Sequence, residues 1–245
     1  VFRAILRTRC ELARSSLRRY QRQMLKKSPG KFAGYLALTA CIACSDAQVA
    51  ADTPAAAEPI VWKLESTSRI GDHATAVLGS PRVVREAKQA AICFDGKSDA
   101  ILLSTNPIEG WAQFTIEALI KPDAVGPEEQ RFLHIQDERE SRLLLETRLT
   151  PGGEWALDTF LLASPEARLA LLDRAMLHPA EQWQWVALAY DSETMTHYVN
   201  GKKELEGKVA FHPMTSGRMS LGVRLNKVSW YKGCIREVRF TPAAL

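Results

Sequence analysis

The chain has 245 residues, with 32 Lys+Arg against 28 Asp+Glu, 46% hydrophobic and 24% charged residues, and a pI near 8.8. This is the composition of an ordinary globular protein; it excludes collagen, a disordered chain, a coiled coil and a polytopic membrane protein. The charge is uneven. Residues 1–31 carry ten basic side chains and one acid, Glu11, and so stand at +9; since the whole chain is +4, the rest carries −5. The basicity belongs to the N-terminal end, and the weakly acidic body offers no net attraction for nucleic acid or another anionic partner.

In chain order, residues 1–23 are Arg-rich and superficially like a transit peptide or a nucleic-acid arm. Val1 opens the chain, whereas a normal export signal begins at Met24. Residues 1–23 are therefore read as an upstream extension that is non-native, or disordered to loosely helical if made. Residues 24–44 read as a signal segment. Lys26, Lys27 and Lys31 form a positive n-region, and Phe32 to Ala43 an apolar core that is short of the ~20 residues a bilayer span needs and suits a signal h-region. Leu38-Thr39-Ala40-Cys41 resembles the lipobox of bacterial lipoproteins. That resemblance implies cleavage before Cys41, lipidation of its sulfur, and a mature protein tethered in the cell envelope without spanning the membrane. Rival readings are cleavage near Ala47 to Ala51, which would release a periplasmic or secreted protein, a redox pair at Cys41-Ile42-Ala43-Cys44, and a buried strand, which the polar Ser45-Asp46 flank opposes. Residues 45–59, rich in Ala, Asp and Pro, form a flexible linker.

From Ile60 to Leu245 the period is that of β-strands. Phe114 to Ile120, Arg131 to Gln136, Arg142 to Leu149, Trp155 to Leu162, Trp185 to Tyr190, Thr196 to Val199, Ser220 to Leu225 and Ile235 to Phe240 alternate in this way. Turn signals separate them, among them Pro151-Gly152-Gly153 and Asn200-Gly201; Asn-Gly favours a type I′ hairpin because both residues take φ > 0. Short strands at regular spacing predict an all-β antiparallel sandwich or barrel. Pro165 to Leu177 is ambiguous. Leu169, Leu172, Met176 and Leu177 stand near helical spacing behind Ser164, a candidate cap, yet a bent connecting strand fits as well.

These residues resemble laminin-G-like domains. Cys93-Phe94-Asp95-Gly96 with Asp99, then Phe114 to Ala118 ending at Lys121-Pro122, is similar to the family's entry strands. Trp185 to Asp191 followed by Tyr198-Val199-Asn200-Gly201-Lys202 is similar to its hairpin, and Ser220-Leu221-Gly222 and Gly233 to Phe240 to its last strands. Trp62-Lys63-Leu64 fits the opening. Arg236 departs from the pattern, standing where members usually carry an acid, and Arg131 to His178 matches no family motif. The resemblance implies a concanavalin A-like jelly roll of two packed antiparallel sheets over residues 60–245. Phe94, Phe114, Ile116, Ala118, Ile120, Val186, Leu188, Tyr190, Leu221, Val238 and Phe240 are then expected between the sheets.

Catalytic signals are sparse. Glucanases of this fold pair carboxylates on one strand, ~5–5.5 Å apart for retention. The nearest match, Asp137-Glu138-Arg139-Glu140, reads as a solvated hairpin loop. No G-x-S-x-G, H-E-x-x-H or P-loop occurs, and the five histidines lack metal-ligand spacing. Binding is the better expectation. Sugar recognition needs aromatic faces and planar polar groups. Alternation puts His134 and Gln136, Glu146 and Arg148, and Asp158 and Phe160 each on one face of three successive strands. If the strands are neighbours, one surface gathers all six; the plain alternative is a solvated face laced with ion pairs. A cell-surface protein is the alternative partner to a glycan. A glycoside-active enzyme and a purely structural surface module remain alternative functions. Asp95 and Asp99 are weak candidates for Ca²⁺, which needs six to eight oxygens; Asp95-Gly96 is more simply a turn. Trp183 and Trp185 share a strand face, and an exposed Trp is a candidate stacking platform. Export permits a disulfide between Cys93 and Cys234, although two buried thiols are the default expectation.

Overall fold

The computed structural model describes residues 58–86 and 88–245. The expected extension, signal segment and lipidation residue Cys41, and the linker up to residue 57, lie outside the described residues. Two antiparallel sheets account for nearly all the strands. The first contains β1 (Ile60–Lys63), β5 (Arg82–Glu86), β6 (Gln89–Asp95), β8 (Phe114–Pro122), β14 (Gln184–Tyr190), β15 (Thr194–Val199), β16 (Lys202–Lys208) and β18 (Lys232–Thr241). Its order is β16-β15-β14-β8-β18-β6-β5, with β1 also on β18. The second contains β4 (Ala76–Leu78), β7 (Ala100–Leu103), β9 (Glu129–Asp137), β10 (Arg142–Leu149), β11 (Glu154–Leu162), β12 (Arg168–Leu172), β13 (His178–Pro179) and β17 (Gly217–Leu221). Its order is β12-β11-β10-β9-β17-β7-β4, with β13 on β11. A small ribbon pairs β2 (Arg69–Ile70) with β3 (His73–Ala74).

The core lies between the sheets and follows the pleat. Phe114, Ile116, Ala118 and Ile120 of β8 are fully buried, as are Leu188 of β14 and Phe240 of β18. From the second sheet Leu133, Ile135, Leu143, Leu145, Leu157 and Leu161 meet them. All eleven expected core residues are in this cluster. Burying such side chains contributes ~1.5–3 kcal/mol each, which is what holds two sheets together.

Three local departures matter. The register between β9 and β10 shifts after Leu145, so that Leu145 faces Leu133 while Glu146 faces Arg131. Phe132 is the extra residue of this bulge; it packs on Tyr231 and is fully buried with its neighbour Leu133. A bulge breaks strict alternation and here turns Arg131 to the side of Glu146. Second, β17 stops at Leu221, short of the expected Leu225. Gly222 has φ +86°, and a Cβ there would lie 2.4 Å from the Phe94 ring, so the chain leaves the sheet. Third, Pro165 to Leu177 contains no helix. Ser164 closes a turn by accepting the Ala167 amide at 3.1 Å, and β12 follows with Leu169 and Leu171 alternating onto the core.

Cys93 and Cys234 are directly opposed on β6 and β18 and joined by a disulfide. This corrects the expectation of two buried thiols. Ile92 and Phe94 take the inward positions of β6, so Cys93 points outward and is only half-buried, as Cys234 is.

Candidate functional site

The strands β9, β10 and β11 are consecutive neighbours in the second sheet. Register sets Glu146 opposite Asp158 on one side and Arg131 on the other. Leu144 lies between Phe160 and His134, and Arg142 opposite Gln136. Inward positions of these strands fill the core, so this set occupies the opposite face. Leu144, though buried, lies outside the core cluster.

Four of the six expected residues, Glu146, Arg148, Asp158 and Phe160, line one cavity of about 230 Å³. Arg131, Arg142, Leu144, Ala170 and Arg224 complete its wall. Drug-sized sites run to ~300–1,000 Å³, so the space suits a single ring. His134 lies on the same face beside Leu144 and is 1% exposed. Gln136 is the exception: it lines a separate depression with Asp137, Glu138, Glu140 and Arg218.

This is no solvated face. Glu146 is 3% and Asp158 4% exposed. Their charge is met by a lattice of guanidiniums. Arg148 donates from Nε to Asp158 Oδ2 at 2.7 Å, and its Nη2 lies 3.3 Å from Glu146 Oε2. Arg131 Nε is 3.0 Å from the same Glu146 oxygen. Glu129, at the rim, bridges Arg131 at 2.9 Å and Arg148 at 2.7 Å. Arg131 also bonds the Ser229 hydroxyl.

Burial sets the titration. Desolvation raises Glu146 to about 7; Asp158 adds to this, while Arg131 and Arg148 oppose it. Desolvation also raises Asp158 despite Arg148. His134 is pushed down to about 3, by burial first and then by Arg224, Arg142, Arg131 and Arg218. Burial and the positive charge of four arginines thus both hold the imidazole neutral. Its Nδ1 accepts the Leu225 amide at 3.0 Å, which puts the proton on Nε2.

Sequence reasoning missed Arg131, Arg142 and Arg224. Arg142 shares the alternation of Glu146 and Arg148 and was within reach of the same argument. Arg131 stands three residues from His134, on the wrong parity until the bulge intervenes. Arg224 belongs to the loop that Gly222 releases from β17.

The remaining candidates are placed elsewhere. Asp95 accepts the amides of Lys97 and Ser98 at 2.8 Å and of Asp99 at 3.0 Å. Partial burial raises its pKa, but these amides and the Ser98 hydroxyl outweigh that and hold the carboxyl far below its usual range. Asp99 accepts the Ser80 amide at 2.7 Å. Both carboxylates shape turns, and among the described residues no group of three or more His, Cys, Asp and Glu could hold a metal ion. Asp137 is buried, contrary to a solvated loop; it accepts the Arg139 and Ser141 amides at 2.9 Å and closes the β9–β10 hairpin. Trp183 and Trp185 are half-buried on the outer face of the first sheet. Arg236 lies 3.9 Å above Trp183 and Arg239 4.5 Å above Trp185, so one face of each platform is already covered.

Residues 95–245 match a laminin-G model of the concanavalin A-like lectin/glucanases superfamily. No curated protein matches the chain. Among solved structures, domain 4 of AbnA, a GH43 extracellular arabinanase from Geobacillus stearothermophilus, in complex with arabinotriose, is 18% identical at TM-score 0.54, over 79% of this chain and 86% of that one. A heptameric SAP-like pentraxin from Limulus polyphemus is 15% identical at TM-score 0.52, over 66% and 80%. The binding domain of Botulinum Neurotoxin DC in complex with SialylT is 11% identical at TM-score 0.56, over 76% of this chain but 48% of the toxin chain. At such identities the likeness is one of fold.

Proposed function

The chain belongs to the concanavalin A-like lectin/glucanases superfamily, and from that premise we propose that it is a non-catalytic glycan-binding module whose site is the cavity on the outer face of β9, β10 and β11. The observation that carries this reading is the cavity itself: one aromatic face, Phe160, beside guanidiniums and carboxylates that pair with one another and so present fixed donors and acceptors. Sugar sites want rigid planar polar groups next to an aromatic ring. The arabinotriose held by the arabinanase domain and the SialylT held by the toxin domain make a glycan the first ligand to try; fold alone does not license it. A glycan array probed with the full-length chain tests the reading, and retention of no glycan at all would end it.

Hydrolysis is the second reading, and Glu146 facing Asp158 is what favours it. A glycosidase pair needs environments that push its two carboxyls apart, one protonated and one ionised. Here burial drives both upward and both are engaged by Arg148. Binding without turnover is therefore the proposal. Release of reducing ends from any retained glycan would reverse it.

We extend the proposal to location: an exported protein tethered through Cys41. The Cys93–Cys234 disulfide supports export, because such bonds persist in oxidising compartments. Palmitate labelling of the chain, lost in Cys41→Ala, is the expected outcome.

A further inference from the structure

The charges of the cavity do not balance. Its wall holds four guanidiniums, Arg131, Arg142, Arg148 and Arg224, against two carboxylates, Glu146 and Asp158. The rim Glu129 is shared by Arg131 and Arg148. Among the described residues no carboxylate lies within 4.0 Å of Arg142 or Arg224. These two have no carboxylate partner, and even with Glu129 counted the cavity and its rim hold one more cation than anion. Burial, then Arg142 and Arg131, lower the pKa of Arg224, which is the repulsion expected where cations meet without a countercharge.

The hydrogen-bond inventory leans the same way. Arg142 Nε and, next to the cavity wall, Nε2 of His134 are buried with no acceptor. Arg131 Nε, Arg148 Nη1 and one acceptor, Glu146 Oε2, also lack an aligned hydrogen bond, but each lies within ion-pair distance of an opposite charge. Buried donors without partners are costly. Asp158 Oδ2 is taken twice by Arg148, and Glu146 Oε2 lies against Arg131 and Arg148. The site is therefore rich in free donors and poor in free acceptors. Arg142 also lies 5.8 Å from the centre of the Phe160 ring, so the surplus charge and the stacking face adjoin. A neutral sugar, which both donates and accepts, would leave the charge unmet. A sugar ring bearing an oxyanion would meet it, because a carboxylate or sulfate accepts only and suits the guanidinium fork.

We propose that the cavity selects an acidic glycan, with the oxyanion of a uronic acid or a sulfate ester seated between Arg142 and Arg224 and its ring against Phe160. This rests on the glycan-binding reading above and names the class of glycan. It also separates local from average charge: a body at −5 carries a cationic pocket.

The test is isothermal titration of the full-length chain with trigalacturonate, its methyl ester, a sulfated disaccharide, arabinotriose, and free acetate and sulfate. The acid should bind at least tenfold more tightly than its ester, with the preference fading as salt rises. Arg142→Gln and Arg224→Gln should each erase most of that preference, and Arg142→Lys should keep part of it. Tight binding of the sulfated disaccharide alone supports the same oxyanion site with the sulfate as its source. Equal binding of acid, ester and arabinotriose overturns acidic selection and leaves the glycan reading standing. Free acetate or sulfate matching the oligosaccharides overturns the glycan as source. Silence from every ligand removes both proposals. The acid–ester comparison uses the unaltered protein, so it stands even if a variant fails to fold.

Discussion

Arg148 is the residue on which the site turns. It is 12% exposed at its side chain and touches Asp158, Glu146 and Glu129; Arg131 shares the last two, but among the described residues Asp158 has no other cation within 4.0 Å. Arg148→Ala leaves buried Asp158 without its ion-pair partner and Glu146 with Arg131 alone, which costs about 3–5 kcal/mol; urea denaturation should show a loss of that size. Replacing Arg148 and Asp158 together by apolar residues should cost clearly less than Arg148→Ala alone, since no single charge is then stranded. Glu146 sets a pH dependence. Its folded pKa, about 7 against an ordinary 4.5, means the folded chain holds a proton that the unfolded chain releases. That contribution is full below pH 4.5 and is lost as pH rises through about 7, on the order of 3 kcal/mol. His134, lowered from 6.5 to about 3, acts oppositely: its contribution is present above pH 6.5 and lost as pH falls through about 3. The two offset each other between pH 4.5 and 6.5. The groups facing Glu146 are Arg131, Arg148, Asp158 and Arg224. Between pH 6 and pH 8 the native chain should lose stability relative to Glu146→Gln, because His134 and His197, both lowered by burial, contribute alike in the two chains.

At the scale of the element, the strands were legible because two sheets facing one core impose a period of two. Arg142 to Leu149 was read to the residue. The misreadings have physical causes. Leu169 and Leu172 stand at a helical interval, but the core takes Leu169 and Leu171, which only an extended chain places on one side; Gly207 leaves the room for both, a Cβ there lying 2.8 Å from Leu169. The bulge at Phe132 is invisible to alternation because it breaks alternation, and with it went Arg131. Opposed cysteines cannot be recognised before strand order is known. Their disulfide ties β6 to the last strand across 141 residues of sequence. Reduction, or Cys93→Ser with Cys234→Ser, should lower the unfolding free energy by about 2–5 kcal/mol in denaturant titrations. The hairpin between β15 and β16 gives a finer check. Asn200 and Gly201 have φ of +49° and +75°, and a Cβ at Gly201 meets nothing within 4 Å. Gly201→Val should therefore cost about 1–3 kcal/mol through backbone strain alone, read as a lower midpoint with an unchanged slope.

For the whole molecule, the sandwich could be argued from periodicity and turn chemistry, and four of the six site residues from alternation alone. What sequence could not supply was depth. A row of His, Glu, Arg and Asp on alternating positions reads as wet surface, and only the loop after Gly222, carrying Arg224 and Leu225 onto that face, turns it into a pocket. Net charge misleads for a similar reason: it averages a basic N-terminal end, an acidic body and a cationic cavity within that body. The proposed glycan site stands or falls with this cavity. A glycan array probed in parallel with the full-length chain and Phe160→Ala, which loses the aromatic face but no buried charge, tests it most directly. The native chain should retain a defined set of glycans and the variant should lose at least tenfold in signal on each of them; an array on which the native chain retains nothing, or on which the two chains bind alike, would contradict it.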